Sequence, residues 1–171
     1  MSEQTTEIIS YMEFIKRARK PMVRPGIWKW KDILPRLMES KDSGHSLTKG
    51  RGEVSLIHKD TGELCGVSPT MNVAIQVLKP GFHNEPHRHT NVALFIVFEG
   101  QGYSMVGGEK IEWEKGDLVV APAWATHEHC NTSETEDAIL ITIQDVPLVT
   151  HMGVMFLEEP IGDQPRHIVK K

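Results

Sequence analysis

The sequence predicts one all-β domain, an antiparallel barrel preceded by short helical segments. The chain has 171 residues, a length that suits a single hydrophobic core. From about Glu53 onward, short runs of β-branched residues are separated by turn residues, which is typical of antiparallel strands in a barrel. Before that point, apolar residues recur at helical spacing. We therefore expect a helical extension over residues 1–50, the barrel over 51–157 and a charged tail over 158–171.

Two helices are predicted ahead of the barrel. In the first, three apolar residues lie three to four positions apart on one face, and Pro21 ends the helix. Those three residues are Ile8, Met12 and Ile15. A second, weaker pattern places Leu34, Leu37 and Met38 on one face. Pro35 lies inside this pattern, so the prediction requires it in the first turn of the helix.

Turn residues divide the remainder of the chain into strands. Pro80 and Gly81 end a strand with alternating apolar residues over 72–77. Glycine-containing turns at 100–102, 107–108 and 115–117 predict further strands near 92–98, 102–106, 109–113 and 117–121. A polar loop over 131–137 precedes a strand over 138–143, and a last strand is expected near 150–157.

Composition narrows the class of function. With 19 basic and 23 acidic side chains the net charge is -4, so we expect no nucleic-acid partner. Apolar runs fall short of the ~20 residues that span a membrane, and the first residues lack a signal-peptide core, which predicts a cytoplasmic protein without a membrane partner. The two cysteines form no Cys-x-x-Cys pair, which argues against a thiolate metal site. Any metal would therefore be held by imidazole and carboxylate groups.

The histidines are the strongest chemical signal in the sequence. His87 and His89 are two residues apart, so in an extended chain both imidazoles point to the same side. His127, on another strand, is the leading candidate for a third ligand. Three neutral imidazoles suit iron, manganese, nickel, copper or zinc and leave coordination positions open for substrate or oxygen. A His-x-His pair alone also occurs by chance among surface histidines.

The residues around these histidines resemble the paired motifs of the cupin superfamily. The first motif runs from Gly81 through His87-Arg88-His89 to Gly100, and the second from Gly116-Asp117 through Pro122, Trp124 and His127 to Asn131. The resemblance implies a double-stranded β-helix, or jelly-roll, barrel. The cupin pattern has a glutamate three or four residues after its second histidine, where this chain has Ala93 and Leu94.

Without that glutamate, the chain resembles the three-histidine Fe(II) cupins, and among them the gentisate 1,2-dioxygenase-like group. The likeness extends over most of residues 27–147 and includes 99–102 and 122–129. It implies Fe(II) on His87, His89 and His127, with manganese, nickel or zinc also compatible, and His129 as a catalytic or substrate-facing group. The implied activity is cleavage of a hydroxylated aromatic substrate by O2.

Two departures from that group affect the prediction. Full-length members carry two cupin domains and this chain holds one, so we expect a homo-oligomer or a partner cupin subunit. The group also places an arginine after the Ala-Leu pair, where it can bind a substrate carboxylate, but Phe95 stands there in this chain. Either Arg88 or another basic group replaces it, or the substrate is less acidic than gentisate.

Other residues near the motifs have two interpretations each. Trp124 could line the pocket mouth or belong to the core. Gln76, Tyr103 and Asn131 are candidates to contact ligating imidazoles or substrate.

Two other functions stay open at this point. The chain could be a non-catalytic or accessory subunit of a two-subunit hydroquinone-type dioxygenase, in which a larger chain performs the chemistry. It could also be a metal-dependent lyase or isomerase, since a fold does not fix its chemistry.

Overall fold

The computed structural model describes residues 6–18, 23–42, 51–64, 66–161 and 164–167. Three α-helices, one 3-10 helix (Lys59–Leu64) and eleven strands occur in this part of the chain. The helices are α1 (Tyr11–Ala18), α2 (Trp30–Asp42) and α3 (Val146–His151). The strands are β1 (Arg51–Leu56), β2 (Asn72–Leu78), β3 (Arg88–His89), β4 (Ala93–Glu99), β5 (Gln101–Val106), β6 (Glu109–Glu114), β7 (Leu118–Ala121), β8 (His127–Asn131), β9 (Ala138–Gln144), β10 (Leu157–Ile161) and β11 (Gln164–His167).

Two antiparallel sheets form the barrel. The larger has the strand order β1-β2-β9-β4-β7, and the smaller has the order β6-β5-β8. Buried apolar residues from both sheets form one core between them, including Phe95 and Leu140 from the larger sheet and Trp113 from the smaller. This two-sheet arrangement confirms the predicted all-β jelly roll.

A second apolar cluster lies on the outer face of the larger sheet. There α2 covers β1, β2 and β9, with Leu37 fully buried against Val77 and Ile139. The sheet is thus apolar on both faces over this region, with the barrel core on one side and a helix on the other.

Strand predictions for 72–77, 92–98, 102–106, 109–113, 117–121 and 138–143 are confirmed to within one residue at each end. The strand expected near 150–157 is wrong. Residues up to His151 form α3, which carries Pro147 in its first turn, and β10 begins only at Leu157.

Both predicted N-terminal helices are present. The helix α1 covers Met12 and Ile15, Ile8 precedes it, and Pro21 lies outside the described residues. The placement of Pro35 is wrong: α2 begins at Trp30, so this proline lies in the second turn. No helix in the described part of the chain is long and apolar enough to span a membrane.

The shortest strand, β3, is held on both sides. On one side, its residues Arg88 and His89 pair with Glu158 and Leu157 of β10. On the other, the backbone N–H of Trp124 donates to the carbonyl of His89 at 2.7 Å. The backbone of β3 therefore has partners in two segments distant in sequence.

Candidate metal centre

Three histidine side chains meet inside the barrel. His89 is in β3, His87 immediately precedes that strand, and His127 is the first residue of β8. The backbone N–H of His87 donates to the carbonyl of His127 at 3.0 Å, and the reverse bond is 2.8 Å long. One ring nitrogen from each of the three residues lies within 4.8 Å of the others. The structure therefore brings the three predicted ligands together.

Backbone carbonyls orient these rings. The Nδ1 atom of His89 lies 2.8 Å from the carbonyl oxygen of Asn91, and that of His127 lies 2.9 Å from the carbonyl oxygen of Ala125. A carbonyl only accepts hydrogen bonds, so Nδ1 carries the proton in both rings and Nε2 presents its lone pair. The carbonyl oxygen of Glu85 lies 3.3 Å from Nδ1 of His87. The Nε2 atom of His127 is buried and has no partner among the described residues.

The environment keeps the rings of His87 and His127 neutral. Burial lowers the pKa of His87 to about 3 and that of His127 to about 4. Nearby positive charge, including the guanidinium of Arg51, lowers both pKa values further. A neutral imidazole is the form that binds a metal ion, so this donor set fits a divalent transition metal.

His129 is buried beside the three converging rings, with its ring centroid 5.8 Å from that of His127. It is 1% exposed, burial holds its pKa well below the usual range, and its Nε2 has no partner in the described part of the chain. The ring centroid of Phe95 lies 4.3 Å from that of His129 and 5.9 Å from that of His127. Phe95 thus forms an apolar wall beside both histidines.

Polar side chains on the larger sheet face the same interior. Arg51 is largely buried: its Nη2 atom lies 3.3 Å from a carboxylate oxygen of Glu53, and its Nε has no partner within the described ranges. Gln76 Oε1 and Thr142 Oγ1 are also buried and lack partners there. Thr142 pairs in register with Phe95. A buried polar atom without a partner is costly, so several such atoms together favour a polar ligand in this space.

The guanidinium of Arg88 is bound by Glu158 and Trp124, outside the histidine cluster. The guanidinium bonds a carboxylate oxygen of Glu158 at 2.6 and 2.7 Å, and its Cζ lies 4.6 Å above the ring of Trp124. Trp124 itself is 39% exposed and has a positive φ of 64°. These contacts place both side chains at the surface, because Arg88 points away from the side to which its histidine neighbours point.

Two of the predicted contact residues lie away from the histidine cluster. Tyr103 packs near His83 and Lys110, on the opposite face of β5 from Ser104. The side-chain amide of Asn131 donates to the backbone carbonyls of Leu78 and Lys79, at the end of β2, and of Glu136, in the loop before β9. The structure therefore gives Asn131 a loop-fixing role, and it gives Tyr103 no contact with the three imidazoles.

Sequence reasoning missed Arg51, Thr142 and Ser104. The alternation of Arg51, Glu53 and Ser55 with apolar neighbours is the signal that could have revealed a strand beginning at Arg51 with its polar face inward. Ser104 and Thr142 carry no such signal, because isolated hydroxyl residues are common in strands.

Known proteins resemble this chain in sequence and in fold. The family model described as "Cupin domain" matches residues 74–144. The 5-nitrosalicylic acid 1,2-dioxygenase of Bradyrhizobium sp is 31% identical over 170 residues, which are 96% of this chain and 81% of that protein. The gentisate 1,2-dioxygenase of Streptomyces sp is 33% identical over 144 residues, 81% of this chain but 39% of that protein.

A solved structure agrees in fold. The salicylate 1,2-dioxygenase from Pseudoaminobacter salicylatoxidans, with gentisate, superposes with a TM-score of 0.70 at 24% identity. The match covers 79% of this chain and 37% of the Pseudoaminobacter chain. This chain therefore spans well under half the length of the Pseudoaminobacter protein and of the Streptomyces gentisate 1,2-dioxygenase. The 31% identity to the Bradyrhizobium protein over nearly the whole chain, with the cupin-domain match inside it, shows that the chain belongs to the cupin superfamily and, within it, to the gentisate 1,2-dioxygenase-like family.

Proposed function

We propose that this chain is an Fe(II)-dependent dioxygenase that cleaves the ring of a hydroxylated aromatic acid. The observation that carries the proposal is the convergence of three neutral imidazoles in the barrel interior, with one ring nitrogen of each within 4.8 Å of the others. His87, His89 and His127 would hold the metal. When bound, Fe(II) supplies the redox chemistry that lets O2 react with an aromatic ring.

The ligand set favours an anionic, chelating substrate. Three neutral imidazoles leave the charge of a divalent ion uncompensated, and a phenolate beside a carboxylate can neutralise it through two oxygens. The relatives named above are called dioxygenases of nitrosalicylic acid and gentisate, and another similar protein is called a 5-aminosalicylate 1,2-dioxygenase. These compounds all carry a hydroxyl ortho to a carboxylate. We assign the substrate to this class of ortho-hydroxybenzoates.

Arg51 supplies the cation that position 95 lacks. Its guanidinium lies close enough to the histidines to lower the pKa of His87, His127 and His129. Its partly unsatisfied donors suit a carboxylate oxygen of the substrate. Arg88 cannot serve, because it is held by Glu158 and Trp124. Phe95 offers an apolar surface against which the aromatic ring can pack.

Oxygen consumption by the purified chain tests the proposed function. Protein loaded anaerobically with Fe(II) is expected to consume O2 with at least one ortho-hydroxybenzoate, and not with benzoate, which cannot chelate. Protein loaded with Zn(II) is the matched control, because zinc binds the same ligands without redox chemistry. Stoichiometric iron with no oxygen uptake across the panel would favour the accessory-subunit function. Turnover in the absence of O2 would favour a lyase or isomerase.

We also propose that the chain assembles with a second copy of itself. The outer face of the larger sheet is covered by α2 on one half only. On the other half, Leu118 and Val120 are 62% and 52% exposed and pair in register with the half-buried Ile96 and Leu94. This apolar strip continues the covered cluster directly and is the kind of surface that an obligate partner buries.

The N-terminal helix complements that strip. No residue of α1 is buried, and its apolar side chains Tyr11, Met12 and Phe14 are all more than half exposed. Lysine and arginine occupy four of the five positions 16–20, whereas residues 109–117, which precede β7, include four acidic and two basic side chains. Apolar surface and opposite charge on the same chain favour a self-complementary contact between two copies.

The assembly is tested by the mass of the particle in solution. Wild-type protein is expected to be at least dimeric by light scattering after gel filtration. Replacing both Leu118 and Val120 with glutamate should produce a folded monomer, because the exposed side chains contribute little to the fold of one copy. Met152→Glu, which adds a charge at another exposed apolar residue, is the control and should leave the mass unchanged. A monomeric wild type, or an unchanged mass in the double variant, would contradict this interface.

A further inference from the structure

A buried chain of hydrogen bonds connects the core to His129. The Nδ1 atom of His129 lies 2.7 Å from Ser104 Oγ, and Trp113 Nε1 lies 2.9 Å from the same oxygen. Ser104 is 1% exposed and Trp113 is 4% exposed, so water does not compete for these bonds. Neither Ser104 nor Trp113 has a role in the function proposed above.

The direction of each bond follows from which groups can donate. An indole N–H is only a donor, so Ser104 Oγ accepts from Trp113. The bond to His129 then has two possible directions. If Nδ1 donated to the serine, the serine hydrogen would be buried without an acceptor, because Ser104 Oγ has no third partner in the described part of the chain. If the serine donates to Nδ1, the serine hydrogen, its oxygen and Nδ1 all have partners.

The second direction fixes the tautomer of His129. With Nδ1 accepting a hydrogen bond, the ring proton of the neutral imidazole is on Nε2. This is the reverse of His89 and His127, in which Nδ1 donates to a backbone carbonyl and Nε2 presents a lone pair. His129 thus has the opposite tautomer to His89 and His127, set by whether a hydroxyl or a carbonyl faces Nδ1.

We propose that Ser104 and Trp113 are positioning residues that hold His129 with its proton on Nε2. In this state His129 cannot bind a metal through Nε2. It instead points a fixed N–H, unpartnered among the described residues, into the barrel interior. This assignment rests on the proposed function: the group that accepts from Nε2–H of His129 is an anionic oxygen of the aromatic substrate. Phe95, in edge contact with the ring, and the backbone of His129, bonded to Asn84, keep this donor in place.

The tautomer can be read directly by long-range 1H–15N correlation NMR, which distinguishes protonated from unprotonated ring nitrogens. The sample is the Zn(II)-loaded protein, which is diamagnetic and does not turn over. We expect His129 with Nε2 protonated and Nδ1 unprotonated, and His151, which is exposed on α3, with both tautomers averaged. A proton on Nδ1 of His129 would overturn the proposal. Because this readout needs no catalysis, it stands even if the proposed reaction fails.

Variants of Ser104 test the consequence for turnover. Ser104→Ala removes the donor to Nδ1, so we expect tautomer averaging at His129 and a kcat about 10-fold lower with unchanged metal content. Ser104→Thr keeps the hydroxyl and should restore both the tautomer and kcat. Trp113→Phe keeps an aromatic ring in the core but removes the N–H that donates to Ser104. It should change the His129 tautomer and kcat in the same direction as Ser104→Ala, but by less. A purely structural role would lower the melting temperature without moving the tautomer, and that result, or a wild-type kcat in Ser104→Ala, would contradict the proposal.

Discussion

His127→Ala is expected to lower metal affinity by at least about 100-fold and to abolish oxygen consumption with it. His127 is the only one of the three converging histidines contributed by β8, so its removal leaves the two rings near β3 on one side of the ion. Two neutral imidazoles from one strand cannot fix a facial site with open positions. Metal content after dialysis, measured by elemental analysis, checks this result.

Two other histidines serve as controls for that variant. His151→Ala removes an exposed imidazole on α3 and should leave metal content unchanged. His129→Ala should also retain the metal while it loses turnover, since the proposed tautomer prevents His129 from ligating. Equal metal content in His127→Ala and His151→Ala would count against His127 as the third ligand.

Arg51→Ala is expected to reduce kcat/KM for an ortho-hydroxybenzoate by about 10- to 100-fold, the effect of losing a hydrogen bond to a charged group. The loss should appear mainly in KM, because the guanidinium binds the carboxylate equally before and during the reaction. Metal content should be unchanged, since Arg51 is not a ligand. Arg51→Lys should recover only part of the loss, because an ammonium group cannot reproduce the planar fork of donors.

The substrate panel distinguishes this role from a general effect on the barrel. A hydroxylated aromatic compound without a carboxylate should be turned over equally by wild type and Arg51→Ala. Arg88→Ala is the matched control, since Arg88 is bonded to Glu158 at the surface. An equal loss for substrates with and without a carboxylate, or a larger loss in Arg88→Ala, would reject Arg51 as the carboxylate partner.

The strands and the converging histidines were predictable because their signals are local. Glycine turns fix where strands reverse, and a spacing of two residues places His87 and His89 on one side of an extended chain. The partnership with His127 required the resemblance to a two-motif family, since no local rule links residues 40 positions apart.

Residues around the histidines were harder to assign because their roles depend on strand phase and tertiary contacts. Tyr103 and Ser104 are adjacent, and only the register of β5 decides which of them faces His129. Asn131 follows the histidine motif closely, yet its amide bonds backbone carbonyls that come from three separate positions. Arg51 was missed because its guanidinium acts on histidines that come from other strands of the barrel, and sequence spacing does not reveal this proximity.

The two-residue strand β3 ties the proposed chemistry to a distant part of the chain. Arg88 and His89 pair with β10, and Thr90 exchanges further bonds with the backbone of Val154 and Phe156. The position of an imidazole ligand depends on the backbone that bears it. On one side, the backbone of β3 is paired with residues about 70 positions later. A purification tag, a cleavage site or a fluorophore introduced near Leu157 would therefore perturb metal retention, although none of them would lie among the three histidines.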